Sequence, residues 1–190
     1  MDIGCGQGDL VRLMLADGYE AYGIDVSPEQ VAIAHAAGLE RISEGDYRVL
    51  LETRRAGLAA VIATDLLEHL AKQEVLDTFD CVAAALRPGG RFIGRVPNAA
   101  SPFSGRIQFG DFTHESSFTE RSIRQLAAAA GFASVSVSSC PPVAHGLVSA
   151  GRVAVWKPIS GLMRLALAAE TGALRGHIVT QNLNFVARKA

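Results

Sequence analysis

Asp2-Ile3-Gly4-Cys5-Gly6-Gln7-Gly8, followed directly by Asp9 and Leu10, is the stretch that decides the reading of this chain. Glycine stands at every second position where a short apolar strand has to turn into a helix. A turn of that composition exposes backbone N–H groups and removes side chains, so a ligand can lie against it at the positive end of the following helix. The spacing is GxGxG, whereas a dinucleotide turn wants GxGxxG, with one more residue before its third glycine and room for a pyrophosphate. Asp25, about 20 residues further on at the end of the next apolar run, is placed to accept hydrogen bonds from two ribose hydroxyls.

Outward from the turn, short β-like runs alternate with helical patterns, which predicts an α/β chain with a mostly parallel sheet. A helix is expected over 9–17, where Leu10, Leu13 and Met14 recur at helical spacing, then a strand over 20–24. Ser27 and Pro28 supply an N-cap and a helix-opening proline, so 28–37 reads as a helix closed by Gly38. A strand at 39–43, a helix at 47–54 and a strand at 59–63 follow. Helical periodicity then runs from Leu66 to Leu86 and stops at Arg87-Pro88-Gly89-Gly90, ahead of a strand at 91–96. Residues 97–117 read as an irregular active-site loop, and 120–130 as a helix capped by Gly131. The alternating segments 133–139 and 182–188 are expected to pair antiparallel at one edge. Between them a helical insertion is expected at about 145–175, its apolar face running over 153–169 and carrying Trp156. The whole of 1–190 reads as one domain.

Composition narrows the function classes. Of 190 residues 49% are apolar and 19% charged, enough to bury one substantial core. Eighteen basic residues against 19 acidic ones leave a net charge of -1 with no long run of either sign, which speaks against nucleic acid as a partner. Cys5, Cys81 and Cys140 are widely spaced and form no CxxC, as expected of a reducing, cytoplasmic compartment. No signal-peptide pattern opens the chain, and no apolar run approaches the ~20 residues of a spanning helix. Met1 stands directly before the turn, so an N-terminal segment completing the first strand is expected to be missing.

The stretches DIGCGQG (2–8), YGIDVSPEQ (22–30), EGDY (44–47), ATDLLEHL (63–70) and LRPGGRFIGRVPN (86–98) resemble, in order and spacing, the motifs of class I S-adenosylmethionine-dependent methyltransferases. That resemblance runs from about Asp2 to Phe132 and implies a Rossmann-like, doubly wound sheet with S-adenosyl-L-methionine as cofactor. Carried over by position, Asp2, Gly4, Cys5, Gly6 and Gly8 would border the methionine part, and Asp25 with Val26 the ribose. Asp46 and the Tyr47 backbone would meet the adenine, and Thr64 would face the sulfonium. A helix cap is the other reading of Asp46. The stretch GDFTHESSFTERSIRQLAAAAGF (110–132) resembles bacterial members whose small-molecule acceptors are often sugars or lipid-linked glycan intermediates.

Asp65, Glu68 and His69 have i, i+3, i+4 spacing, which on a helix gathers three polar groups on one face near the transfer site. Methyl transfer to a hydroxyl requires removal of its proton, and His69 or His114 would serve as general base with Asp65 orienting either. In some methyltransferases an acidic-x-x-Glu-His segment completed by a later histidine holds a divalent metal. The site assignment adopted is metal-free, with Glu68, His69 and His114 as the ligand set of the alternative. Arg95, Asn98 and Arg106 stand near the same mouth and would meet an acidic or hydroxyl-rich acceptor. The insertion, with Arg152, Trp156, Lys157 and Arg164, would pack on the core, cap the pocket, form a homodimer contact or lie peripherally on a membrane. The leading expectation is O-methylation of a small or sugar-containing acceptor. Its competitors are a nicotinamide-dependent oxidoreductase and a non-catalytic binding subunit of the same fold.

Overall fold

The computed structural model describes all 190 residues. β1 (Asp2–Ile3), β2 (Gly23–Asp25), β3 (Ile42–Glu44), β4 (Leu58–Thr64), β5 (Leu86–Pro97), β6 (Ser134–Ser139) and β7 (Asn182–Arg188) form one seven-stranded sheet in the order β3-β2-β1-β4-β5-β7-β6. The first five strands are parallel, and β7 runs antiparallel to both β5 and β6, as the alternation of 133–139 and 182–188 predicts. Connections after β1 lead to one side and those after β3 return to the other, so β1 and β4 flank the point where strand order reverses. In open α/β sheets that point is where a crevice opens beyond the strand C-termini.

Local chemistry sets the helix boundaries. α1 (Asp9–Ala16) starts at the glycine turn. α2 (Pro28–Ala36) begins where Ser27 Oγ accepts from the Gln30 N–H at 3.4 Å, with proline at a position that has no intrahelical partner to lose. α3 (Tyr47–Glu52) is capped by Asp46, which accepts from the Arg48 N–H at 2.8 Å. The remaining helices are α4 (Lys72–Ala85), α5 (Ser104–Gln108), α6 (Glu120–Ala129) and α7 (Leu147–Thr171). At α6, Thr119 and Ser122 exchange side-chain-to-backbone bonds of 3.1 and 2.9 Å. α7 carries Pro158 in its interior and exposes Leu147, Val148, Val155, Leu162 and Leu165. No helix is long and apolar enough to cross a membrane.

The main core lies where α4 and α6 cover β5 and β7. Phe79, Phe92, Phe132 and Phe185 pack there with ring centroids 5.1 to 6.4 Å apart. A smaller cluster of Val11, Ala21, Val31, Ala34, Leu39 and Ile42 holds α1 and α2 against β2 and β3.

Two features depart from the expectation. The periodic stretch from Leu66 to Leu86 is not one helix: Leu67–His69 is a single 3-10 turn, Leu70 and Ala71 are extended, and the α-helix begins at Lys72. Asp65, at φ 52°, stands in the left-handed region, which breaks the chain direction after β4 and prevents one continuous helical face. Arg87-Pro88-Gly89-Gly90 does not separate helix from strand. It bulges within β5, because Leu58 pairs with Leu86 while Ala60 already pairs with Arg91.

Candidate active site

The C-terminal ends of β1, β2 and β4 bring the first half of the site together. Gly4, Gly6 and Gly8 all have positive φ, at 66°, 52° and 78°. The Gly6 N–H donates to Asp25 Oδ2 at 2.7 Å and the Ser27 N–H to Asp25 Oδ1 at 2.9 Å, so one carboxylate joins the bend to the end of β2. Each carboxylate oxygen has a second lone pair, and both retain capacity for further donors.

A β-carbon added to each glycine sorts the three. At Gly8 it would lie 2.8 Å from Ile42 and 3.1 Å from Leu39, so that position is closed by the fold's own core. At Gly4 the obstacle is the flexible Leu66 side chain, at 2.9 Å. At Gly6 the nearest atom is Gln30 Oε1, at 3.9 Å, so the space above it is open. Gln7 and Val26 are exposed on either side, Val26 at 69%. The bend is thus bare where a ligand would touch it and filled where the protein needs it filled. These residues fit a nucleoside-bearing cofactor: a carboxylate with spare acceptor capacity, an apolar side chain left in water beside it, and a backbone open to close approach.

Asp2 is buried at the start of the bend, and burial raises its carboxyl to about 6. Burial also pushes the Cys5 thiol up to about 12, which makes it an unreactive neutral group. Asp46 caps α3 and also holds the Arg48 guanidinium at 3.1 Å, which keeps its carboxyl below the ordinary range. The Tyr47 side chain is buried, its hydroxyl 2.7 Å from Thr78 Oγ1, leaving the backbone N–H in the first turn of α3 as the group free to meet a ligand. Thr64 ends β4 opposite Arg95 of β5.

The second half of the site is a set of polar groups around the 3-10 turn. Glu115 and Ser116 donate their N–H groups to the Glu68 carbonyl at 2.8 and 2.9 Å, and Ser116 Oγ donates to the Leu70 carbonyl at 2.9 Å. This stitching brings His114 to His69, with ring centroids 4.8 Å apart and edge-on. Ligating atoms of Glu68, His69 and His114 all lie within 4.8 Å of one another. Glu68 is 2% exposed, and its Oε2 and His114 Nδ1 are buried without hydrogen-bond partners. Burial raises the Glu68 carboxyl to about 7. These groups border a chamber of about 390 Å³, also lined by Asp65, Arg106, Asp111 and Asn182.

Sequence reasoning missed Thr113 and Asp111. His69 Nδ1 is 2.8 Å from Thr113 Oγ1, and that hydroxyl donates to Asp111 Oδ1 at 2.6 Å. A hydroxyl has one proton, so Thr113 must accept from His69 Nδ1–H, and the lone pair of the neutral ring then sits on Nε2. The Asp-x-Thr spacing was the available signal, because Asp111 Oδ1 also accepts the Thr113 N–H at 2.9 Å in a side-chain turn.

One expectation about the mouth is corrected. Asn98 is 1% exposed and spends its amide on the Ile178 and Thr180 carbonyls at 2.7 and 2.9 Å, which ties β5 to the segment before β7 instead of facing an acceptor. Arg95 is held by Asp65 in a two-pronged ion pair, its Nε 2.9 Å from Oδ1. That pair occupies the Asp65 carboxylate, and no hydrogen bond joins Asp65 to either histidine. Arg106 is the arginine of this group that stays unpaired, lining the chamber.

Comparison with known proteins agrees with this fold. The ubiquinone biosynthesis O-methyltransferase of Xylella fastidiosa (strain 9a5c) is 31% identical over 109 residues, covering 54% of this chain and 44% of that protein. The protein of that name from Xanthomonas campestris pv. campestris (strain B100) is 34% identical over 108 residues, with 52% and 44% covered. The chain therefore spans less than half the length of these curated relatives. Among solved structures, a SAM-dependent methyltransferase from Archaeoglobus fulgidus superposes with a TM-score of 0.74 at 19% identity, covering 99% of this chain and 84% of that one. A phosphoethanolamine N-methyltransferase 2 from Haemonchus contortus, solved with S-adenosylhomocysteine, gives 0.65 at 20% identity, covering 99% and 48%. These likenesses confirm the doubly wound fold with its antiparallel edge. The methyltransferase-domain family matches residues 1–137, and the chain belongs to that family, the class I S-adenosylmethionine-dependent methyltransferases.

Proposed function

We propose that the protein binds S-adenosyl-L-methionine at the glycine bend and methylates an oxygen of a small acceptor, sugar-containing acceptors included. The observation that carries this reading is the 2.7 Å bond from the Gly6 N–H to Asp25, beneath the open space over Gly6. Asp2, Gly4, Cys5, Gly6 and Gly8 border the methionine part in this reading. Asp25 accepts from the ribose hydroxyls beside Val26, Asp46 and the Tyr47 N–H meet the adenine, and Thr64 stands at the transfer point. When bound, the cofactor supplies a methyl group on a sulfonium as the electrophile.

The chain's own task is to align the acceptor and remove its proton. Alignment supplies much of the rate in an in-line displacement. His69 is set up for the proton, since Thr113 and Asp111 fix Nδ1–H and leave Nε2 to accept from the acceptor hydroxyl. His114 lies edge-on to it as the second base of the pair. Asp65 acts through Arg95, holding the end of β4 beside the base. The names of the Xylella and Xanthomonas relatives support oxygen as the atom methylated.

A second reading of the same cluster is favoured by the partnerless Glu68 Oε2 and His114 Nδ1. Glu68, His69 and His114 would hold a divalent cation, which would make the acceptor hydroxyl more acidic. Calorimetric titration with S-adenosylhomocysteine, in wild type and Asp25→Ala, tests the cofactor assignment. The expected loss is about a hundredfold in affinity, the worth of charge-assisted bonds to two hydroxyls. Undiminished binding by the variant would refute it. Mass spectrometry of methyl transfer to a panel of hydroxylated acceptors, with and without chelator, separates the base from the metal. A chain that binds cofactor and methylates nothing is a binding subunit.

A further inference from the structure

Beside the Glu68–His69–His114 chamber lies another of about 500 Å³, lined by Phe103, Arg106, Arg152, Trp156, Gln181 and Asn182 among others. Arg106 and Asn182 belong to both, so the two chambers share a wall. The volume falls in the range of small-molecule sites, about 300–1,000 Å³.

The lining has one sign of charge: two guanidinium groups and no carboxylate. The ion pairs of the chain use Arg12, Arg48, Arg95 and Arg124, and neither Arg106 nor Arg152 takes part in one. Two unpaired cations on a concave wall concentrate positive potential inside it. The planar guanidinium fork matches a carboxylate or a phosphate two oxygens at a time. Next to the arginines, the Phe103 and Trp156 rings stand 6.5 Å apart and inclined by 47°, an apolar corner for a ring or short alkyl body. On the shared wall, Asn182 Oδ1 is buried without a partner and can accept from a hydroxyl.

We infer that this chamber recognises an anionic acceptor: Arg106 and Arg152 hold its carboxylate or phosphate, Phe103 and Trp156 its apolar body, and Asn182 the hydroxyl presented toward His69 and His114. The residues come from α5, α7 and the start of β7, which makes α7 part of the acceptor site. That the ligand is a methyl acceptor rests on the function proposed above; that it is an anion rests on the chamber.

Calorimetric titration of the full chain, with and without S-adenosylhomocysteine, uses 4-hydroxybenzoate, phenyl phosphate and, as the neutral control, phenol. The expected result is that at least one anion binds about tenfold or more tighter than phenol, the tighter of the two naming the source of the charge. Arg106→Gln and Arg152→Gln each reduce that preference about tenfold, while Trp156→Ala weakens all three probes alike. Circular dichroism of the variants confirms that these surface changes leave the fold intact. Phenol binding as tightly as both anions, no probe binding, or an anion preference that survives both arginine substitutions would overturn the inference. Loss of S-adenosylhomocysteine binding with the anion preference intact would instead overturn the cofactor assignment and leave the chamber standing.

Discussion

Glu68 and His69 are neighbours with opposite surroundings, one carboxyl closed off in the protein and one ring reaching Thr113. Because burial raises Glu68 to about 7 from an ordinary 4.5, the folded chain keeps a proton between those values that the unfolded chain has released. Stability of the chelator-treated protein therefore falls as pH rises through that window and stays lower above it, by up to about 3 kcal/mol from this group. Urea unfolding at about pH 5 and about pH 8 should show Glu68→Gln losing much of that dependence; a parallel decline in variant and wild type would contradict it. For His69 the decisive partner is Thr113. Thr113→Val removes the acceptor for Nδ1–H, and turnover is expected to fall about tenfold, part of what a positioned base contributes. S-adenosylhomocysteine affinity should be unchanged, so a loss of cofactor binding would point to general damage instead.

At the scale of elements, the glycine bend divides into a part the fold uses and a part it leaves open. Gly8→Ala drives a methyl group into Ile42 and Leu39 on top of the same left-handed backbone cost as at Gly6, and should cost about 2–5 kcal/mol in unfolding experiments. Gly6→Ala meets almost nothing and pays mainly the left-handed backbone, about 1–2 kcal/mol, yet is expected to abolish measurable cofactor binding. Equal effects on both properties at both positions would refute this division. The β5–β7 pairing has a comparable close contact, since a β-carbon at Gly94 would lie 2.3 Å from the Phe185 ring. Gly94→Ala should therefore loosen β5 against β7 and lower stability by about 1–3 kcal/mol. Element boundaries were readable where a cap or a glycine marked them, as at Ser27, Asp46 and Gly131. They failed where the backbone did something residue type does not announce. Asp65 in the left-handed region cut a periodic stretch that looks helical throughout, and the RPGG sequence bulged inside a strand.

On the scale of the whole molecule, the geometry of the proposed cofactor site was legible because its parts sit within the first two strand ends, where Gly4 to Gly8 and Asp25 are fixed by local turn chemistry. The proposed acceptor chamber was legible only in part: Arg106, Arg152 and Trp156 stood out in the sequence, while Phe103 and Asn182 did not. Phe103, Arg106, Trp156 and Asn182 come from three distant stretches, and their shared chamber depends on α7 setting Trp156 beside Phe103. Asn98 looked like a binding residue and is structural, because backbone carbonyls consume its amide, while Arg95 spends one side of its guanidinium on Asp65. In the proposed function one nucleoside-bearing ligand lies across the bend and the end of β2. Backbone amide NMR of the labelled protein titrated with S-adenosylhomocysteine tests it most directly. The largest shifts are expected at Gly4, Gly6, Val26 and Tyr47. Saturable shifts confined to other strand ends, with these four amides unmoved, would contradict it.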